Sequence, residues 1–223
     1  MTVSVFVGTS VDGFIARPNG DLDFLPPGGG EPHGYNEFIA TVDAIVIGRK
    51  TFETVLAMED WPYGDKRVVV LSSRPVDLSG AGGVVEQMAG PPADIVSQLG
   101  ASGAHHVYVD GGITIQGFLR AGLIQRLIIT RVPVLIGGGV PLFGTLPHDI
   151  RLRHVVTRHY PSGLVQSEYQ VAAMCPSPMK DASRARTNSW RVSRLFRASG
   201  MKDKNALILI TRVTCRTLRC MVG

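Results

Sequence analysis

No cysteine occurs in the first 174 residues; all three, Cys175, Cys215 and Cys220, fall beyond them. An odd total without paired spacing gives no disulfide framework, and the absence of any CxxC removes the common structural zinc sites. No apolar run approaches the roughly 18 residues a membrane span needs. The start, Val3-Ser4-Val5-Phe6-Val7, is strand-like from the outset, with no basic flank or small-residue cleavage site. A reducing, cytoplasmic compartment is expected. GxGxxG is missing, so the usual Rossmann fingerprint is excluded, as is the P-loop GxxxxGK[ST]. No HxE with a downstream PCxxC occurs either, which excludes a zinc deaminase module.

Charge is distributed unevenly. The chain has 223 residues and a formal net charge of +5, but residues 1–174 hold 12 Lys+Arg against 16 Asp+Glu. The excess lies in residues 175–223, with 11 Lys+Arg and 2 Asp+Glu. The pI near 9.4 is therefore a property of the tail and no argument for a nucleic-acid-binding body. The tail is rich in Ser, Arg and Pro up to Gly200, followed by one apolar run, Ala206–Ile210. It is expected to be a disordered extension, or one foreign to the fold through a shifted reading frame or misjudged gene boundary. With no aromatic or groove-reading module beside those charges, nucleic acid is not the expected partner.

The stretch that organises the body is Asp43–Glu53. Ala44-Ile45-Val46-Ile47 has the continuous apolar character of a strand buried on both faces. Gly48 allows a sharp turn, and Lys50–Leu56 follows with Phe52, Val55 and Leu56 at helical spacing. A strand, a glycine and a helix start leave backbone N–H groups converging on one spot, and Arg49 beside them favours a phosphate there. The chain repeats this alternation. Strands are expected at Val3–Gly8, Arg67–Leu71, Gly82–Glu86, His106–Val109 and Arg126–Val134. Helices are expected at Tyr35–Thr41, Pro92–Leu99 and Ile113–Ala121, and Pro26–Gly30 is a flexible loop. Arg151–His159 and Leu164–Val171 alternate as a terminal hairpin around Pro161-Ser162-Gly163. The fold class is α/β: a mixed, mostly parallel sheet in three layers, with helices on both faces and a C-terminal antiparallel hairpin.

Three strand ends share one design. Ile47-Gly48-Arg49, Leu71-Ser72-Ser73-Arg74 and Val109-Asp110-Gly111-Gly112 each close a buried strand with small, donor-rich or cationic residues. Ligands of open α/β sheets sit at the carboxyl ends of parallel strands. Ser72, Ser73 and Arg74 suit a phosphate monoester, and Gly111-Gly112 at a helix start suits a pyrophosphate.

With Ser10–Ala16 and Pro133–Phe143, these motifs occur in the order seen in the dihydrofolate-reductase-like superfamily, and the chain most resembles its riboflavin-biosynthesis reductase branch over about residues 2–172. The resemblance implies NADPH as cofactor and a homodimer as the assembly. It implies that Gly48, Arg49 and Thr51 hold cofactor phosphates. Ser72, Ser73 and Arg74 would grip the 2′-phosphate, and Gly111 and Gly112 the pyrophosphate. Gly8, Ile15 and Ala16 would line the nicotinamide pocket, while Thr130 and Phe24 would face the substrate. Asp12 is the carboxylate expected near the nicotinamide and the candidate catalytic residue, although Asp-Gly is also a common turn pair.

One departure argues against true folate reduction. No acid aligns on the helix after the first loop without a choice between Glu31 and Glu37. The substrate expected is a pyrimidine- or pterin-like heterocycle, the riboflavin-pathway ribosylamino compound first among them. A true dihydrofolate reductase, a non-catalytic NADPH-binding protein and a nucleic-acid-binding tail are the alternatives. His105 and His106, with no ligand types beside them, are expected to be structural.

Overall fold

The central strand is continuous and apolar. Residues Ala44–Gly48 form β3, of which Ala44, Ile45, Val46 and Ile47 are inaccessible to solvent. The chain's structure is a computed structural model, and it describes residues 1–26, 31–58 and 60–172. The tail 175–223 and most of the Pro26–Gly30 loop, on which expectations were stated, lie outside the described residues.

In chain order the strands are β1 (Thr2–Ser10), β2 (Phe14–Ala16), β3, β4 (Arg67–Leu71), β5 (Val85–Met88), β6 (His106–Asp110), β7 (Arg126–Val132), β8 (Val140–Pro141), β9 (Leu152–His159) and β10 (Val165–Val171). The helices are α1 (Tyr35–Ala40), α2 (Arg49–Leu56), α3 (Pro92–Ala101) and α4 (Gly112–Arg120). Eight strands make one sheet in the order β5-β4-β3-β6-β1-β7-β10-β9. The first six run parallel, and β10 and β9 add antiparallel to one edge. β2 and β8 form a separate small ribbon.

Two cores account for the three layers. On one face Val3, Val5, Val7, Val46, Val69 and Val107 pack with Ile95 and Leu99 of α3 and with Ile115, Phe118 and Leu119 of α4. On the other, Phe6, Ile45, Ile47, Val68, Val70 and Tyr108 pack with Phe38 of α1 and with Phe52 and Val55 of α2. The period of two along each strand sends neighbouring side chains to opposite faces, and the helix spacings of three and four meet them. Each fully buried side chain of this size contributes about 1.5–3 kcal/mol.

The expected elements recur with their types, β2 and β8 are additional, and most boundaries shift by one or two residues. The strand expected at Gly82–Glu86 begins at Val85, because Gly82 and Gly83 lie against the Trp61 ring, where a side chain would collide. The strand expected to reach Val134 ends at Val132, since Pro133 has no N–H for the ladder. Among the described residues, no helix is long and apolar enough to cross a membrane, and no group of three His, Cys, Asp or Glu could hold a metal.

His106 has a structural job at the amino end of the sheet. Its Nε2 lies 2.8 Å from the Ser4 hydroxyl, and its Nδ1 lies 3.0 Å from the Thr41 carbonyl. The Asp43 carboxylate accepts the backbone N–H of both His105 and His106, at 2.7 and 2.8 Å. Burial, helped by Arg126 and opposed by the Thr41 carbonyl and Asp43, lowers the His106 pKa below its ordinary value. The neutral ring is thus the folded form. Its contribution is full above the unfolded histidine pKa of about 6.5 and is lost as pH falls below it, because the unfolded chain binds the proton more readily. Thermal midpoints measured at stepped pH should fall more steeply below pH ~6.5 for the native chain than for His106→Gln. Parallel curves would remove the ring from this role.

Candidate active site at the carboxyl edge of the sheet

Strands β3 and β6 are parallel neighbours, with Ile47 opposite Asp110, yet the helices that follow them leave for opposite faces. α2 packs on the Phe6 face and α4 on the Val5 face. This divergence makes the two strand ends a topological switch point, the position where open α/β sheets bind ligands. Both helix starts lie at it. Neither Gly48 before α2 nor Gly111 before α4 carries a side-chain cap, and neither first turn contains an acid. Uncapped N–H groups and the positive end of each helix dipole are what an anion requires.

The two starts also interlock. A Cβ on Gly48 would stand 2.8 Å from the Thr114 hydroxyl of α4. A Cβ on Gly111 would collide with the Thr51 hydroxyl of α2, and Gly111 has φ +89°, a conformation side chains rarely adopt. Thr51, expected from the sequence, thus has a counterpart in Thr114, which the sequence reading missed. Gly112 sits under Ile15, Val140 and the Pro141 carbonyl, each 3.1–3.2 Å from where its Cβ would be. The β2–β8 ribbon therefore rests on the start of α4 and brings Ile15 against it. Ala16 is buried, with its carbonyl against Gly139.

The turn after β4 divides its donors. The Ser72 hydroxyl accepts the Arg74 N–H at 3.1 Å and donates to the Arg74 carbonyl at 2.7 Å, so it is spent on the turn. Gln87 of β5 fixes the same turn. Its Nε2 donates to the carbonyls of Ser72 and Arg74, at 3.0 and 2.9 Å, and its Oε1 accepts the Val76 N–H at 3.0 Å. Ser73 and the Arg74 guanidinium have no hydrogen-bond partner among the described residues. Arg49, also exposed, lies 3.4 Å from Glu53, a weak surface pair.

At the end of β1, Gly8 pairs in register with Thr130 of β7, which in turn faces Gln166 of β10. The Leu25 side chain covers Gly8, 2.9 Å from where its Cβ would be, whereas Phe24 is half-buried in the preceding turn. Asp12 is exposed, and its carboxylate accepts the N–H of Gly137 at 2.8 Å and of Ile136 at 3.3 Å. The Ser10 hydroxyl, then these two N–H groups, keep its pKa below the ordinary value. In this setting Asp12 ties the loop before β2 to the loop before β8, and its carboxylate stays charged.

A different acid stands beside the Gly111 turn. Asp110, at the end of β6, lies on the tyrosine-rich face and keeps part of its surface open. Its Oδ1 accepts the Gly111 N–H at 2.7 Å, and its Oδ2 accepts the Tyr63 hydroxyl at 3.3 Å. Burial raises its pKa above the usual carboxylate range against the opposing hydrogen bonds. Burial, then the nearby Asp110, pushes Tyr35 up to about 12 and raises Tyr63 and Tyr108 as well. The sequence reading took Asp110 only as part of a glycine turn. Of the acids it weighed instead, Glu31 accepts the Ser162 hydroxyl at 2.6 Å and Glu37 is exposed on α1.

An eight-stranded mixed sheet of this order, helices on both faces and glycine-marked helix starts at its carboxyl edge define a dihydrofolate-reductase-like protein. A dihydrofolate reductase from Enterococcus faecalis, solved with NADP(H), shares the fold at 17% identity and TM-score 0.55, over 77% of this chain and 97% of that one. Residues 1–166 match the RibD C-terminal domain, and the chain belongs to that family. A crystal structure from Shewanella sp. PV-4, of a protein assigned to riboflavin biosynthesis, is 36% identical with TM-score 0.71, covering 78% of this chain and all of that one. The uncharacterized YwjB of Bacillus subtilis is 31% identical over 159 residues, 70% of this chain and 90% of its own.

Proposed function

We propose that the chain is an NADPH-dependent reductase that delivers hydride to a pyrimidine- or pterin-like heterocycle, with a ribosylaminouracil phosphate of the riboflavin-pathway type as its first candidate. Residues 1–174 form the catalytic domain in this reading, and the working assembly is a homodimer. The observation that carries it is the switch point between β3 and β6, where two uncapped helix starts meet without a first-turn acid.

The residues present suit the cofactor. Gly48 and Gly111 let the two helix starts close on each other, with the Thr114 and Thr51 hydroxyls where their side chains would stand, and the N–H groups of both starts would serve a diphosphate. Ser73 and Arg74, on a turn that Ser72 and Gln87 hold rigid, suit the 2′-phosphate. Gly8, Ile15 and Ala16 flank the space for the nicotinamide ring. When bound, NADPH supplies the hydride. The chain orients the two rings, excludes water with Leu25 and the β2–β8 ribbon, and holds a proton on Asp110 for the nitrogen beside the reduced carbon. A carboxyl whose pKa is raised by its surroundings suits that task.

Arg74→Ala should weaken NADPH binding by about 1.5–3 kcal/mol, the range for hydrogen bonds to a charged group, and leave NADH nearly unchanged. Equal losses for both cofactors would remove Arg74 from the 2′-phosphate site. The activity itself is tested by following NADPH oxidation against a panel of aminouracil ribosyl phosphates and dihydropterins. Turnover with an aminouracil member and not with dihydrofolate is expected. Cofactor binding without oxidation on any heterocycle would leave a nucleotide-binding protein instead.

A further inference from the structure

Asp110 is tethered at both of its oxygens. Oδ1 accepts the Gly111 N–H at 2.7 Å, a bond fixed by the backbone at the start of α4, and Oδ2 accepts the Tyr63 hydroxyl at 3.3 Å. Tyr63 belongs to the segment between α2 and β4 and is 5% exposed. The Trp61 ring stands edge-on to it at 5.5 Å, and the Tyr63 carbonyl accepts the Lys66 N–H at 3.1 Å. Trp61 is seated in turn against Gly82 and Gly83, where side chains would collide with its ring. The Tyr63 ring is therefore held from behind, and its hydroxyl has one partner among the described residues, the Asp110 carboxyl. Two further tyrosines lie nearby. Tyr108 of β6 donates its hydroxyl to the Phe6 carbonyl at 2.9 Å, and Tyr35 of α1 is near enough for the Asp110 charge to raise its pKa. No lysine, arginine or histidine among the described residues moves the Asp110 pKa.

We propose that Tyr63 is a positioning residue for proton transfer: its O–H occupies one lone pair of Asp110 Oδ2 and thereby aims the proton that this oxygen carries. The inference rests on the reductase reading, in which Asp110 is the acid. The shorter bond marks Oδ1 as the carbonyl end of the protonated carboxyl and leaves the proton to Oδ2. The carboxyl cannot turn without giving up both donors. In the transfer, the Oδ2–H bond breaks as the N–H bond of the reduced ring forms, and the electron pair stays on Oδ2. The carboxylate left behind keeps the Gly111 and Tyr63 donors, whose hydrogen bonds strengthen as its charge develops. Tyr63 thus acts on the rate of the step and not on the binding of the ring.

The test follows the Asp110 carboxyl carbon by ¹³C NMR in the full chain labelled at aspartate, its signal assigned by its loss in Asp110→Asn. Tyr63→Phe keeps the ring against Trp61 and removes the donor to the charged form. The Asp110 titration should move up by about one pH unit, the lower end of the worth of a hydrogen bond to a charged group. In turnover, the fall at high pH should move up with it, and kcat should drop about tenfold while KM holds. Adding Tyr63→Phe to Asp110→Asn should change nothing further. A titration that stays in place, or a Tyr63→Phe loss that persists in full on the Asp110→Asn background, overturns the proposal while the reductase reading stands. No turnover on any heterocycle, with the titration still moving, overturns the reductase reading and the positioning role with it. Should Tyr63→Phe not fold, the hydroxyl-bearing ring carbon of Tyr63 is followed in the native chain. A step in its signal at the pH where Asp110 titrates is expected, and a flat signal overturns the proposal.

Discussion

Replacing Asp110 with asparagine should lower turnover by about 10²–10⁴-fold, the span attributed to a positioned general acid, with little change in NADPH affinity. The carboxyl is held between the Gly111 N–H and the Tyr63 hydroxyl, and burial makes its charged form costly against those hydrogen bonds. The native pH profile should fall as pH rises through the raised Asp110 pKa, because the acid is useful only while protonated. The residual activity of the asparagine variant should not follow that fall. The carboxyl's contribution to stability should fall with rising pH as well. A carboxyl with a raised folded pKa favours the fold when protonated and loses that contribution as pH rises above its unfolded value of about 3.9. Asp110→Asn, neutral at every pH, should therefore melt no lower than the native chain at neutral pH. A variant with full turnover removes Asp110 from the chemistry, and one with a sharply lowered melting point makes the loss structural.

Gly111→Ala should be the most damaging single methyl in the site. At φ +89° and ψ 132° the backbone occupies a region open almost only to glycine, at about 1–3 kcal/mol for other residues. The new Cβ also collides with the Thr51 hydroxyl, and overpacking adds about 1–3 kcal/mol. A summed loss of about 2–6 kcal/mol corresponds to a melting point lower by about 4–24 °C for a domain of this size. Adding Thr51→Ala should restore only the collision part, so the double variant should recover some stability and not all. Full recovery would show that the backbone conformation costs nothing. No loss in the single variant would contradict the interlocked helix starts.

The sequence disclosed the frame of this site better than its contents. Strand ends at Gly48, Leu71 and Asp110 were legible because buried parallel strands read as unbroken apolar runs, and glycine or serine marks where they stop. The topology then converts three separate turns into one edge, which no local pattern states. The β2–β8 ribbon was not legible, since two residues of β8 carry no periodicity. Asp110 was passed over because its raised pKa comes from burial, which depends on segments distant in sequence, such as the one that carries Tyr63. Gln166 gave no signal within the hairpin, where a polar residue in alternation reads as solvent-facing; its burial comes from the Glu31–His33 segment, tied to the hairpin through Ser162 and Gln166. Asp12 drew attention because it stands in a quoted motif, and its side chain is engaged by two backbone N–H groups of the neighbouring loop.

The central claim is that adjacent strand ends grip a dinucleotide carrying an extra phosphate. Parallel fluorescence titrations of the full chain with NADPH and with NADH test it most directly. Saturable NADPH binding at least tenfold tighter than NADH, the worth of about 1.4 kcal/mol from the added phosphate contacts, is the predicted result. No saturable binding, or equal affinity for the two, would contradict it.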